Sequence, residues 1–213
     1  MIQFTRIPCG FANCFFVEDG GHAILIDTSI TLYREKILVA CKEKNVRLII
    51  LTHGHIDHIQ NAAALSKALN VPIAMHADDC RLIRDNLSEP LYADTVFGKF
   101  ILGMSIRSMK RDTVEAFEPD VYLQDGDTLS EYGIAATVAR LPGHTKGSIG
   151  VLAGGKDLFV GDALMNMLRP SKTLLYGDKE AMEQSAQKIS GLGDITIHFG
   201  HGKSAGNRDW LGR

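Results

Sequence analysis

The stretch that most restricts the fold is Leu48-Ile49-Ile50-Leu51 running directly into Thr52-His53-Gly54-His55-Ile56-Asp57-His58. A short apolar run bounded by glycine reads as a buried strand. The polar cluster therefore sits in the loop leaving that strand, and His58 is expected to open the next helix. Three of the chain's eight histidines fall in this one loop. Neutral imidazoles and carboxylates are the usual ligands of zinc and related divalent ions. His53 and His55 are two residues apart, so in extended chain their side chains leave on the same side and can pinch a single ion. Asp57 and His58 follow where the chain rolls into a helix and point toward a neighbouring position. One motif can thus serve two ions if other loops complete both coordination spheres.

Length and composition set the frame for this motif. The chain has 213 residues, 45% hydrophobic and 23% charged, with a formal net charge of −2. These values fit one soluble globular domain, 1–213, with a substantial core. A near-neutral charge gives no reason to expect nucleic acid or an anionic membrane as partner. The expected partner is a small-molecule substrate. Met1–Arg6 lacks a basic segment followed by a long apolar one, and no apolar run approaches the ~18 residues that span a bilayer. Cys9, Cys14, Cys41 and Cys80 show no CxxC spacing and read as free thiols. The expected location is cytoplasmic.

Taken in order, residues 2–7 suit an edge strand. The β-rich runs 13–17 and 22–27 flank Glu18-Asp19-Gly20-Gly21 as a hairpin. Asp27 ends its strand and either buttresses the metal loop or caps a turn; the buttress is the favoured reading. His22, beside the turn, reads as a surface residue. A helix is expected over 31–44, a strand over 47–51, a helix over 58–69 stopped by Asn70, and a strand over 71–75. Strand, helix, strand in this order is a βαβ unit, which places its helix on a sheet's outer face. His76 reads as structural.

Residues 78–118 depart from this rhythm and read as a helical insertion. Asp78-Asp79 can cap a helix over 80–83. Val96, Phe97, Phe100, Ile101 and Met104 fall at helical spacing, and that stripe is either core or a pocket wall or a homodimer contact. Arg107-Ser108-Met109-Lys110-Arg111 reads as a solvated face. The second half is again β-rich, with strands over 121–123, 134–141, 148–152, 158–160 and 195–199 and a helix over 179–190. His144 in Pro142-Gly143-His144-Thr145-Lys146-Gly147, Asp162 in Gly161-Asp162 and His201 in Gly200-His201-Gly202 each follow a strand directly. Each stands beside small residues that allow close backbone approach.

Together with Asn13, the Leu25-Ile26-Asp27-Thr28 strand end and Ser148, these motifs run in the order found in the metallo-β-lactamase-fold hydrolase superfamily, which the chain resembles over nearly its whole length. The resemblance implies an α+β four-layer αββα sandwich, two mixed sheets flanked by helices. It further implies two divalent ions, zinc first and iron or manganese as alternatives. His53, His55 and His144 would bind one ion and Asp57, His58 and His201 the other. Asp162 and a hydroxide would bridge them, and Asp57 would also orient the nucleophile or accept its proton. Two ions ~3.5–4 Å apart acidify a water between them, and one of them polarises the substrate oxygen. Ser29 stands where many relatives have glycine.

The expected activity is hydrolysis of a small ester, thioester or lactone. Alternatives are a phosphodiesterase, a mononuclear-iron oxidoreductase resembling persulfide dioxygenases, and a non-catalytic metal-binding protein. Asp162 at the bridging place argues against native β-lactam hydrolysis. Only 11 residues follow Gly202, which argues against the added C-terminal helical domain of glyoxalase II-type thioesterases. Tyr92 or Tyr176 is a candidate oxyanion partner of the lactonase-like kind. Lys146, Arg169, Lys172 and Lys203 are candidate anchors for an anionic substrate. Substrate determinants are expected in 86–118 and 165–176.

Overall fold

The computed structural model describes residues 2–212. Thirteen strands are present among them: β1 (Gln3–Cys9), β2 (Ala12–Asp19), β3 (His22–Ile26), β4 (Val46–Ile50), β5 (Ile73–Met75), β6 (Val121–Tyr122), β7 (Ala136–Arg140), β8 (Ile149–Ala153), β9 (Asp157–Phe159), β10 (Leu164–Met165), β11 (Ser171–Lys172), β12 (Thr196–His198) and β13 (Ala205–Gly206). The helices are α1 (Arg34–Cys41), α2 (Ile56–Ile59), α3 (Ala62–Leu69), α4 (Cys80–Arg84), α5 (Val96–Arg111) and α6 (Lys179–Ser190). The first sheet has the order β1-β2-β3-β4-β5-β6 and the second β13-β12-β9-β8-β7, with β10 and β11 forming a short separate ribbon. Both large sheets are mixed: β3, β4, β5 and β6 run parallel, as do β9 and β12, and the other pairings are antiparallel.

Side-chain alternation explains the layers. Successive residues of a strand face opposite sides of its sheet. In β3, Ala23 and Leu25 face the layer holding Ile37 and Cys41 of α1 and Leu65 of α3, while Ile24 and Ile26 face the second sheet. In β9, Phe159 joins that inter-sheet core, and Leu158 turns outward onto Ala186 and Ile189 of α6. The result is the expected αββα sandwich, with strands buried on both faces and therefore apolar without a break, as in Leu48-Ile49-Ile50.

Several boundaries differ from those read in the sequence. The helix expected over 31–44 is a 3₁₀ turn, Thr31–Tyr33, followed by α1. The helix expected over 58–69 begins earlier, at Ile56, and is broken after one turn, so Asp57 and His58 lie inside α2 and do not open it. Asn61 explains the break: its amide donates to the Thr28, Ser29 and Ile30 carbonyls, tying this point to the loop after β3. Asn70 does stop α3, in the left-handed conformation at φ 54°. In the 78–118 segment, α4 and α5 are helical, but 112–118 is not.

The stripe on α5 is not core. Val96 is 88% exposed and Phe100 62%, and Gly98 is the one buried residue of this helix. The basic cluster at its end divides. Arg107, Lys110 and Arg111 are exposed, whereas Ser108 and Met109 turn toward a cavity beside the histidine loop. All four cysteines are free thiols. No helix among the described residues is long and apolar enough to cross a membrane.

Candidate metal centre

The loops that leave β3, β4, β9 and β12, together with the β7–β8 loop, meet at one edge of the sandwich. Ligands in sheets of this kind gather outside the carboxyl ends of parallel strands, and the polar residues gather there here. Three overlapping groups have ligand atoms within 4.8 Å of one another: His53, His55 and His144; His53, His58 and Asp162; and Asp57, His58 and His201. All seven candidate residues of the sequence reading are thus brought to one place. His22, His76 and His198 stand apart. His22 pairs with Asn45, and His76 accepts from the Asp78 amide. His198 is clamped between Ser204 and Asp157 and stacks on Phe159.

Four of the five imidazoles are gripped from behind. His144 Nδ1 lies 2.7 Å from the Leu175 carbonyl oxygen, and His201 Nδ1 2.7 Å from that of Phe11. A carbonyl only accepts, so both Nδ1 atoms carry a proton and both Nε2 atoms face the centre, where the neutral ring offers a lone pair. His58 Nδ1 lies 2.8 Å from Asp27 Oδ2, which leaves its Nε2 facing inward. His53 Nδ1 is 3.1 Å from the Thr52 hydroxyl, while its Nε2 is buried with no hydrogen-bond partner. His55 Nδ1 faces His144 Nε2 at 2.8 Å. Fixing one ring nitrogen by an outer partner so that the other is free is the usual arrangement of metal-ligating histidines.

Asp162 lies between the groups. Its Oδ1 is 3.4 Å from His58 Nε2, and its Oδ2 is 3.2 Å from His201 Nε2 and 3.7 Å from His144 Nε2. Buried Oδ1 makes no hydrogen bond. Asp57 Oδ2 sits 3.4 Å from His201 Nε2 and 3.8 Å from His58 Nε2, with 40% of its side chain exposed to the adjoining cavity. Two buried polar atoms without partners, set among converging lone pairs, are costly unless a cation takes them up. The donor set of imidazole nitrogens and carboxylate oxygens suits a divalent ion.

The electrostatics split the imidazoles. Burial, with the other histidines adding to it, pushes His53 well down and His55 down to about 3; burial also lowers His144 against the pull of Asp162. For His58 burial works downward as well, but Asp27, Asp162 and Asp57 outweigh it and raise the group to about 9. His201 is raised in the same way by Asp162 and Asp57. Burial pushes Asp57 and Asp162 upward, and the neighbouring histidines override it and hold both carboxyls well below the usual range.

The supporting shell contains residues whose role the sequence reading understated. Asp27, at φ 60°, accepts from the Thr52 amide and hydroxyl as well as facing His58, so it buttresses the metal loop as favoured. Asp79 was expected only as a helix cap. It makes no capping hydrogen bond. Its buried carboxylate accepts from the Gly54 and Gly147 amides and the Thr145 hydroxyl, stapling the loop of His53 and His55 to the loop of His144. Asn86 accepts from the Ile56 amide and donates to the Gly54 carbonyl. Asn13 donates to the Phe199 and Gly202 carbonyls on either side of His201. Of these, only Asn13 and Asp27 carried a motif; a staple across 66 residues leaves no local signal.

The tyrosine candidates fall away from the site. Tyr176 donates to Asp94, Tyr92 pairs with the Tyr176 backbone, and the tyrosine that lines the central cavity is Tyr33. Lys146, Arg169, Lys172 and Lys203 do not line that cavity either; Arg169 and Lys172 line a second one beyond Met165 and Met167.

Comparison with known proteins agrees with this geometry. The sequence model of the metallo-beta-lactamase superfamily matches residues 7–201. The hydroxyacylglutathione hydrolase GloC of Haemophilus influenzae is 29% identical over 206 residues, covering 94% of this chain and 90% of that protein. Among solved structures, the BLEG-1 B3 metallo-beta-lactamase superposes with a TM-score of 0.76 at 22% identity, over 99% of this chain and 97% of that one. TTHA1623 in a di-iron-bound form superposes with a TM-score of 0.71 at 24% identity, over 95% and 93%. At these identities the two structures speak for the fold, and the family match over residues 7–201 spans the stretch that holds the edge cluster. The chain belongs to the metallo-β-lactamase superfamily.

Proposed function

We propose that this protein is a hydrolase with a dinuclear metal centre, acting on a small ester, thioester or lactone. The observation that carries the reading is the pair of unpartnered buried atoms, His53 Nε2 and Asp162 Oδ1, within a ring of imidazoles clamped from behind. His53, His55 and His144 would hold one ion, Asp57, His58 and His201 the other, and Asp162 would serve both. Ions bound there supply an acidified water and positive charge beside a developing oxyanion.

The chain's own residues account for the rest. Asp57 is ionised and faces the cavity, so it can orient the attacking water and take its proton. Asp27, Thr52 and the Phe11 and Leu175 carbonyls hold His58, His53, His201 and His144 in one orientation, which keeps the reacting groups from drifting between turnovers. The named activity of the Haemophilus relative supports the thioester member of this group. Zinc is the first choice of metal, with iron next; the di-iron form of TTHA1623 is a property of that protein.

The test joins metal analysis to a substrate panel. Protein purified without added metal is expected to carry two equivalents of a divalent metal and to hydrolyse at least one thioester, ester or lactone. Asp162→Asn is expected to lose at least one equivalent and to cut kcat/KM by about 100-fold or more, of the order seen when a positioned charge is removed. One equivalent of iron with sulfur-oxidising activity favours the persulfide-dioxygenase-like alternative. Full metal content and full activity in Asp162→Asn overturn the dinuclear assignment.

A further inference from the structure

We infer that the substrate carries an apolar, uncharged acyl chain, seated along α5, and that the enzyme selects by the length of that chain. This rests on the hydrolase reading above and deepens it. The site opens into a cavity of about 400 Å³, with His55, Asp57, His144, Asp162 and His201 on one side. Ile30, Leu91, Ile101, Met104, Met165 and Leu175 are among the residues that make the rest. Not one lysine or arginine lines it among the described residues.

α5 gives Ile101, Met104, Ser105, Ser108 and Met109 to this cavity. It spans 16 residues with a single buried residue, so the core does not hold it in place. Ile101 and Met104 sit three apart, on one helical face, and that face looks onto the metal cluster's cavity. Met104 remains 49% exposed. An apolar wall left partly in water beside a polar cluster is what an apolar ligand would cover. Four methionines, Met104, Met109, Met165 and Met167, border the space, and their flexible thioethers adapt to chains of different length.

Charge decides against a substrate with anionic groups close to the carbonyl. The two carboxylates of a glutathione thioester would find no lysine or arginine in the lining of this cavity, and an unpaired carboxylate against an apolar wall is unfavourable. Chemistry also decides which half of the substrate the wall takes. The leaving oxygen or sulfur gathers negative charge as its bond to the carbonyl carbon breaks and must be protonated or solvated. That half belongs at the open mouth near Phe11 and Leu32, which are 77% and 78% exposed. The acyl half, which needs no such solvation, lies along α5. In the balanced reaction, water adds OH to the acyl carbon and its second proton leaves with the alcohol or thiol.

The experiment uses the full chain with its metals, a fixed leaving group and unbranched acyl chains from two to ten carbons. A matched series varies the leaving group on an acetyl ester, and lactoylglutathione is run beside them. Each buried methylene is worth about 0.8 kcal/mol, so kcat/KM is expected to rise about fourfold per carbon until the cavity fills. The leaving-group series is expected to stay flat. Met104→Lys, at a half-exposed helix position that does not endanger folding, is expected to abolish the rise. Ile101→Ala is expected to shift the optimum to longer chains. Metal content serves as the check on folding in both. Hydrolysis with no dependence on acyl length, or a preference for lactoylglutathione over the longer acyl chains, overturns this inference and leaves the hydrolase reading standing. No hydrolysis of any substrate by protein holding two metal equivalents overturns both.

Discussion

Asp27 Oδ2 lies 2.8 Å from His58 Nδ1, across 31 residues of chain, and the same carboxylate accepts from the amide and hydroxyl of Thr52. One side chain at the end of β3 thereby sets both the entry to the histidine loop and the orientation of an imidazole within it. Asp27→Asn keeps the shape but places an amide N–H₂ against one of these donors. Metal affinity is expected to fall about 10- to 100-fold, as for other outer partners of metal ligands. Titration with a competing chelator measures it. Unchanged affinity would remove Asp27 from the site.

Asp79 is the second such link, and its chemistry gives a pH signature. Burial raises the carboxyl to about 6, because the Thr145 hydroxyl and the Gly147 and Gly54 amides offset burial only in part. Between the ordinary value of 3.8 and about 6, the folded protein therefore binds more protons at this group than the unfolded chain. Stability contributed by Asp79 is present at low pH and falls as pH rises through that window, by up to about 3 kcal/mol. Asp79→Asn lacks this dependence. Urea unfolding of metal-free wild type and variant at pH 4 and pH 7 should show their stability difference shrinking or reversing at the higher pH; a constant difference would contradict the shift.

Gly200 is required by contact. A Cβ there would lie 2.5 Å from Asp162 Oδ1 and 2.8 Å from His58 Cε1. Gly200→Ala is expected to displace one or both, leaving the fold intact by circular dichroism but lowering kcat/KM about 100-fold, the scale of a misplacement near 1 Å. Wild-type kinetics in that variant would mean the loop yields without cost.

The remaining histidines separate packing from ligation. His22→Ala is expected to cost under about 1 kcal/mol, the range of surface changes; His76→Ala, which empties a buried position and removes a cap on the Asp78 amide, is expected to cost about 1–2 kcal/mol, and neither is expected to cost metal. His198→Ala is expected to cost about 2–4 kcal/mol, because it empties a fully buried position and strands the partners of two hydrogen bonds. Its metal content should stay at the wild-type level. Calorimetry and metal analysis on the same preparations check all three.

Two kinds of information shaped this protein. Local pattern carried the strands, because an apolar run such as Leu48–Ile50 has one stable outcome, burial on both faces between helices and a second sheet. Local pattern also carried the seven polar residues, because four are packed into the six positions 53–58 after β4 and the other three stand in strand-end loops beside small residues, and chain order made their family legible. Helix boundaries around 56–61 were not legible, since Asn61 breaks the helix by binding carbonyls in the loop after β3. The place of α5 was equally hidden. Its stripe has the period of a core helix, and only the packed structure turns Ile101 and Met104 toward a cavity and leaves Val96 and Phe100 in water. Asp79 reads in the chain as a helix cap; its three donors come from two distant loops. Tertiary structure decided these points because a hydrogen bond or a pocket wall depends on which segments meet, and the energy that selects the meeting is spread over the whole core.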